Sequence, residues 1–131
     1  AQGRGAIINV ASTASLQPDP YMAVYGASKA FVLSFSEALW AENRSRGVRV
    51  LALCPGATET AFFDVVAAPE AAVGKRMDPQ AVVDEALLAL DRGRSSHVAG
   101  RPNRLLAWLP RLLPRKTVLG IVEGMLKPKA A

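Results

Sequence analysis

Only one cysteine, Cys54, occurs among the 131 residues, and this excludes an intramolecular disulfide framework. Histidine is as scarce. His97 stands alone, so there is no Cys/His cluster at the spacing of a structural zinc site, and neither disulfides nor a metal is expected. No run of about 18 or more uninterrupted apolar residues is present. The opening Ala1-Gln2-Gly3-Arg4-Gly5 lacks both the basic start and the apolar run of a signal peptide. A soluble, cytoplasmic protein is the expectation. Repeats and low-complexity tracts are absent as well. With 50% of its residues apolar, the chain is long enough for one modest hydrophobic core and too short for two ordinary domains.

Acidic residues are scarce in one place. Through Asp64 the bases Arg4, Lys29, Arg44, Arg46 and Arg49 balance Asp19, Glu37, Glu42, Glu59 and Asp64. From Arg92 onward nine basic residues face a single acid, Glu123, so the net charge of +5 belongs to the C-terminal end.

The apolar runs Ala6-Ile7-Ile8-Asn9-Val10-Ala11 and Val48-Arg49-Val50-Leu51-Ala52-Leu53-Cys54 read as strands buried on both faces, as in a parallel sheet. Between them, from about Tyr21 to Arg46, Val24, Ser28, Phe31, Phe35, Ala38 and Leu39 recur at the spacing of a helix with one packed stripe, and Gly47 is a natural stop. Strand, helix, strand makes a βαβ unit and an α/β fold. Pro55-Gly56 ends the second strand, and Ala57 to Arg76 reads as an excursion with a short helix. Asp78-Pro79 supplies an N-cap and a first-turn proline for a helix over Ala81–Leu90, ended near Gly93. A short strand is expected around Ser96-His97-Val98-Ala99. Leu105, Leu106, Leu109, Leu112 and Leu113 then keep helical spacing, with Pro110 and Pro114 kinking or dividing the helix. Residues 101–131 thus form a basic, leucine-rich helical segment.

In a parallel α/β sheet, chemistry gathers outside the carboxyl ends of the strands. Ser12 follows the first strand, Pro55-Gly56 follows the second, and Tyr25 lies in the opening turns of the helix that starts at the same edge. Tyr25 and Lys29, four apart, are neighbours on that helix. A phenol is a poor acid or base at neutral pH, and a nearby cation and a helix N-terminus both favour its ionised form. Ser12 could hydrogen-bond a substrate oxygen while Tyr25 exchanges a proton with it. No side chain supplies a hydride, so the chemistry implies a nicotinamide cofactor.

Asn9-Val10-Ala11-Ser12, Tyr25-Gly26-Ala27-Ser28-Lys29 and Pro55-Gly56-Ala57-Thr58-Glu59-Thr60 stand in an order and spacing that resembles the second half of the short-chain dehydrogenase/reductase family. The likeness covers roughly Ile7 to Phe62 well and the rest loosely. It implies a Rossmann-like doubly wound parallel sheet. Ser12 would polarise a carbonyl, Tyr25 would be the acid/base, and Lys29 would assist Tyr25 and hold the nicotinamide ribose. Pro55 and Gly56 would lie against the nicotinamide, with the Thr58 main chain and Thr60 near its carboxamide or phosphates. The cofactor would be NADP or NAD, with NADP preferred. The resemblance also implies a homo-oligomer built partly on the helix bearing Tyr25 and Lys29. Phe62 and Phe63 would belong to a substrate-covering loop.

The sequence also departs from the family pattern. The Gly-rich phosphate turn, which follows a first strand and opens a helix, is absent, since Gly3-Arg4-Gly5 precedes a strand. The upstream Asn-Ala-Gly segment and the helix asparagine of the family's proton relay are missing too. Residues 1–131 are therefore expected to be the C-terminal portion of a single Rossmann-like domain, without its dinucleotide-binding half and with an unpaired sheet edge.

Other polar residues have plainer readings. Ser28 reads as a small packing residue, Thr13 and Ser15 as loop polar groups, and Cys54 as a small buried hydrophobe. His97 has no acidic or cysteine partner nearby in sequence and is read as structural or surface. The C-terminal Arg101, Arg104, Arg111, Arg115, Lys116, Lys127 and Lys129 beside Trp108 and the leucines allow peripheral contact with an anionic membrane. The plainer alternative packs the leucines on the domain or a sister subunit. Nucleic acid is not expected, because no recognition motif accompanies the bases. The function implied is NAD(P)-dependent interconversion of a ketone or aldehyde and an alcohol. The rival is a non-catalytic truncated remnant that binds a partner or membrane.

Overall fold

The computed structural model describes residues 3–61 and 74–128. Its centre is a parallel sheet of β1 (Gly5–Val10), β2 (Val48–Cys54) and β3 (Ser96–Val98), in that spatial order. Gly5 pairs with Val48 and Val10 with Leu53, then Ala52 pairs with Ser96 and Cys54 with Val98. Around the sheet are α1 (Ala23–Asn43), α2 (Pro79–Asp91), α3 (Arg101–Leu106), α4 (Leu109–Leu112) and α5 (Arg115–Leu126). The protein is α/β, a partial Rossmann-like fold.

Strand alternation sorts the side chains between two helices. Ile8, Leu51 and Leu53 turn one way and form the apolar core with Val82, Ala86, Ala89 and Leu90 of α2. Asn9 and Ser96, both in register with Ala52, turn the other way and bond Ser36 and Glu37 of α1 at 3.0 and 2.8 Å. With a helix on each face, β2 is covered on both sides, and Val50 to Cys54 are all buried. This is why its sequence is apolar without alternation.

β1 departs from the expectation. It was expected to be buried on both faces, yet Ile7 is 45% and Val10 55% exposed. β1 pairs only with β2 among the described residues, and α1 crosses mainly over β2.

Helix ends follow local chemistry. Asp78 accepts a hydrogen bond from Ala81 N at 3.1 Å and Pro79 opens α2 as expected. α1 has no side-chain cap; it runs into a 3-10 turn at Arg44–Arg46 and stops at Gly47, whose φ is +75°. Beyond β3 the leucine-rich segment is divided rather than kinked. Leu113 is extended and Pro114 precedes α5, while Pro110 sits in the first turn of α4. Leu105 and Leu112 are each 75% exposed, and no helix among the described residues is long and apolar enough to cross a membrane.

Candidate active site

The carboxyl ends of β1 and β2 are tied together. Ala11 N donates to Leu53 O at 2.7 Å and Thr13 N to Pro55 O at 3.0 Å, which brings Ser12 beside the Pro55-Gly56 segment. Ser12 is buried and its Oγ accepts from Ala14 N at 3.1 Å, capping the 3-10 turn Thr13–Leu16. That bond fixes the oxygen without using the hydroxyl hydrogen. Ser15 Oγ donates to Ser12 O and lies 3.6 Å from Cys54 Sγ, so the loop is also pinned from below.

Tyr25 and Lys29 reach the same edge from α1. Lys29 Nζ donates to Val10 O at 3.0 Å and stands 5.7 Å from the Tyr25 ring centroid. The lysine therefore links the first turns of α1 to the last residue of β1, two positions before Ser12. Ser28 Oγ donates to Tyr25 O at 2.7 Å, a local bond within the helix, and the residue is exposed rather than packed as expected.

Backbone contacts place the remaining motif residues. Thr58 forms an isolated bridge with Met77, flanked by Met77 N to Ala57 O and Glu59 N to Met77 O, both 2.9 Å. Thr58 Oγ1 bonds Gly56 O at 3.1 Å, and Thr60 N bonds Thr58 O at 2.8 Å. Phe62 and Phe63 lie outside the described residues.

One buried acid sits next to this site. Asp19 is buried before α1, where its Oδ1 accepts from Gln17 at 2.9 Å; Oδ2 has no hydrogen-bond partner among the described residues. Burial pushes its carboxyl up, and the Gln17 bond opposes this only in part. Oδ2 rests against Gly26, where a Cβ would collide with it. The glycine of the tyrosine-lysine motif thus makes room for the carboxylate. Burial likewise pushes the Cys54 thiol up, opposed by its hydrogen bond with Ser15, which fits a packing residue rather than a nucleophile.

The family model for short chain dehydrogenases matches residues 1–71 of the 131. The chain belongs to the short-chain dehydrogenase family. A 7β-hydroxysteroid dehydrogenase from Collinsella aerofaciens is 36% identical over 108 residues, which are 79% of this chain and 41% of that protein. Among solved structures, a short-chain dehydrogenase from Burkholderia cenocepacia in complex with NADP superposes at a TM-score of 0.72 with 29% identity, covering 95% of this chain and 48% of that one. Another, from Sphingobium yanoikuyae in complex with NADPH, gives 0.70 and 30%, covering 98% and 49%. The chain thus spans about two-fifths to half the length of these relatives.

Sequence reasoning gave no partner to two residues of this short-chain dehydrogenase family member that lie behind the motifs. His97 is buried, and its Nε2 lies 2.8 Å from Glu85 Oε2, twelve positions away on α2, which selects the structural reading over the surface one. Asn103 abuts Gly56. Neither has a motif of its own. The expected β3 put His97 on a strand, and only the α2–β3 packing reveals its partner.

Proposed function

We propose that the chain supplies the proton-transfer and nicotinamide-facing part of an NAD(P)-dependent oxidoreductase that interconverts a ketone or aldehyde and an alcohol. The double engagement of Lys29 carries this reading: one ammonium contacts the end of β1 and the Tyr25 ring together. The donor set suits a nicotinamide riboside. Lys29 has two N–H donors beyond the one given to Val10, and a tyrosine hydroxyl both donates and accepts, which matches a ribose diol. A bound nicotinamide coenzyme supplies or takes up the hydride, which no side chain here can do. In the reducing direction the Ser12 hydroxyl donates to the carbonyl oxygen, and Tyr25 gives that oxygen its proton as negative charge grows there. The positive charge of Lys29 stabilises the phenolate oxygen left behind. Pro55, Gly56, Thr58 and Thr60 are assigned to the coenzyme, and Phe62 and Phe63 to the substrate loop.

NADP is the preferred coenzyme, supported by the solved relatives bound to NADP and NADPH. The name of the hydroxysteroid relative makes secondary alcohols and their ketones the first substrates to test. A cytoplasmic homo-oligomer belongs to the same proposal. Its support is the outer face of α1, where Phe31 stacks on Phe35 with 5.7 Å between centroids and Val24 is 85% exposed. Large apolar groups so exposed call for a protein cover. The C-terminal helices favour a second contact, with an anionic membrane, because Leu105, Trp108 and Leu112 are exposed beside Arg104, Arg111 and Arg115. Co-sedimentation with anionic but not neutral vesicles would support it.

The test of the main reading is fluorescence titration with NADPH and NADH, and turnover of a ketone panel by the protein and its Tyr25→Phe variant. Coenzyme binding with Tyr25-dependent turnover is expected. Absence of both in folded protein would favour the non-catalytic binding reading.

A further inference from the structure

Against the Pro55–Thr58 segment lies an assembly that the proton-transfer chemistry does not use. Gly56 is backed by the side chain of Asn103 in α3, where a Cβ on Gly56 would come within 2.6 Å of Asn103 Nδ2. The asparagine is held in turn: Nδ2 donates to Ala99 O at 2.9 Å and lies 3.9 Å from Met77 Sδ. Met77 is the residue whose main chain pairs with Ala57, Thr58 and Glu59. One amide side chain therefore touches both sides of the loop, Gly56 directly and Ala57–Glu59 through Met77.

The position of Asn103 depends on the turn between β3 and α3, and that turn is anchored to α2. Gly100 N donates to both carboxylate oxygens of Glu85, at 3.3 and 3.2 Å. The same carboxylate bonds His97 Nε2, and Arg94 Nη1 lies 3.4 Å from His97 Nδ1 on the other side of the ring. Gly100 O then accepts from Arg104 N at 3.0 Å in the first turn of α3. A buried strand histidine and a helix carboxylate thus set the start of α3, and α3 presents Asn103 to Gly56.

We infer that Asn103 is a positioning residue for the nicotinamide-facing loop, and that Glu85 and His97 are the anchor that holds it in place. The inference rests on the proposed function for what the loop binds, but the brace itself is a property of the chain. An amide fits the position for a physical reason. It packs flat against a Cα with no side chain, while its N–H satisfies the Ala99 carbonyl at the end of β3. A leucine of similar size would fill the space and leave that buried acceptor without its donor.

The test uses the protein with whatever flanking sequence its gene supplies, as the wild type and as Asn103→Ala, Asn103→Leu and Glu85→Gln. Amide hydrogen exchange at Glu59 and Met77 reads the brace without any coenzyme, since these N–H groups make the bonds between the loop and Met77. Exchange at both should quicken at least about tenfold in the Asn103 variants and less in Glu85→Gln, while Leu51 and Leu53 in β2 stay protected. The dissociation constant for NADPH, read by fluorescence, should rise about tenfold with kcat at saturating coenzyme changed less than about threefold. Should Asn103→Leu unfold the protein, Gly56→Ala offers an independent route. It should weaken coenzyme binding by clashing with Asn103, and adding Asn103→Ala should restore part of the loss. Unchanged exchange at Glu59 and Met77 would overturn the brace. Faster exchange with unaltered coenzyme affinity would overturn its positioning role. A wild type that binds no coenzyme would instead defeat the functional reading and leave the exchange result to stand by itself.

Discussion

On one face of the sheet Leu51 and Leu53 pack against Val82, Ala86, Ala89 and Leu90 of α2, and His97–Glu85 is the polar pair at its margin. On the other face Asn9, Ser96 and Cys54 meet Ser36, Glu37 and Ser15 through polar contacts, and α1 leaves Phe31 and Phe35 exposed on its far side. The α2 face is an apolar cluster; the α1 face buries Val50, Ala52 and Cys54 and adds a set of tethers. A tether fixes direction, since a hydrogen bond tolerates little error in distance or angle, and direction is what Tyr25 and Lys29 need. The proposed chemistry therefore sits on the face where hydrogen bonds join the apolar packing between helix and sheet.

The largest effect that would sharpen this contrast is chemical. Tyr25→Phe should lower turnover by about 10²- to 10⁴-fold while leaving the unfolding free energy within about 0.5 kcal/mol. Steady-state kinetics beside urea unfolding would separate the two. A comparable loss of both would mean that Tyr25 is a packing residue. Next comes the core itself. Leu51→Ala on the α2 face should cost about 2–5 kcal/mol through the cavity it leaves. Ser36→Ala, which strands the Asn9 amide, should cost about 1–3 kcal/mol. Equal costs would erase the distinction between a packed face and a tethered one.

The elements that the sequence made legible are those whose signals are local. β2 could be read because its apolar run is covered by a helix on each side, and α2 because Asp78 and Pro79 announce its start. The Tyr25–Lys29 pair could be read because helix geometry makes residues four apart neighbours. Burial of β1 could not be read, because it depends on what lies beside the strand rather than on the strand's own residues. The Glu85–His97 pair was hidden for a related reason: a helix residue and a strand residue meet only once the register of β3 against β2 is set. Asp19 entered the sequence reading only as one acid in the charge balance, and Gly26 only as a motif position. Their contact exists because the loop folds back over the first turns of α1.

That contact gives a third way to test the tethered face. Gly26→Ala places a methyl group where Asp19 Oδ2 lies, and overpacking of this kind costs about 1–3 kcal/mol. Asp19→Ala in the same chain removes the obstacle, so the double variant should be more stable than Gly26→Ala alone. A thermodynamic cycle by urea unfolding measures the coupling. Strict additivity would mean that the carboxylate has another place to go and that the fit between the two residues is incidental.

The smallest effect distinguishes the two faces by their response to acid. Burial pushes the Glu85 carboxyl up, but the bonds from His97 and Gly100 outweigh it and hold the group below the usual carboxylate range. The folded state therefore binds this proton less readily than the unfolded chain, whose value is near 4.5. The stability Glu85 contributes is complete above that value and is lost as pH falls through the folded one. Asp19 has the opposite sign. Its carboxyl is raised above 3.8, so its charged form is the costly one; that cost is absent well below 3.8 and grows as pH rises through the folded value. Urea unfolding from pH 3 to 7 should show Glu85→Gln falling further behind the wild type as pH rises, and Asp19→Asn gaining on it over the same range. Parallel curves for the two variants would show that neither carboxylate has the surroundings described, and the contrast between an anchored acid on the α2 face and an unsatisfied one beside α1 would fail.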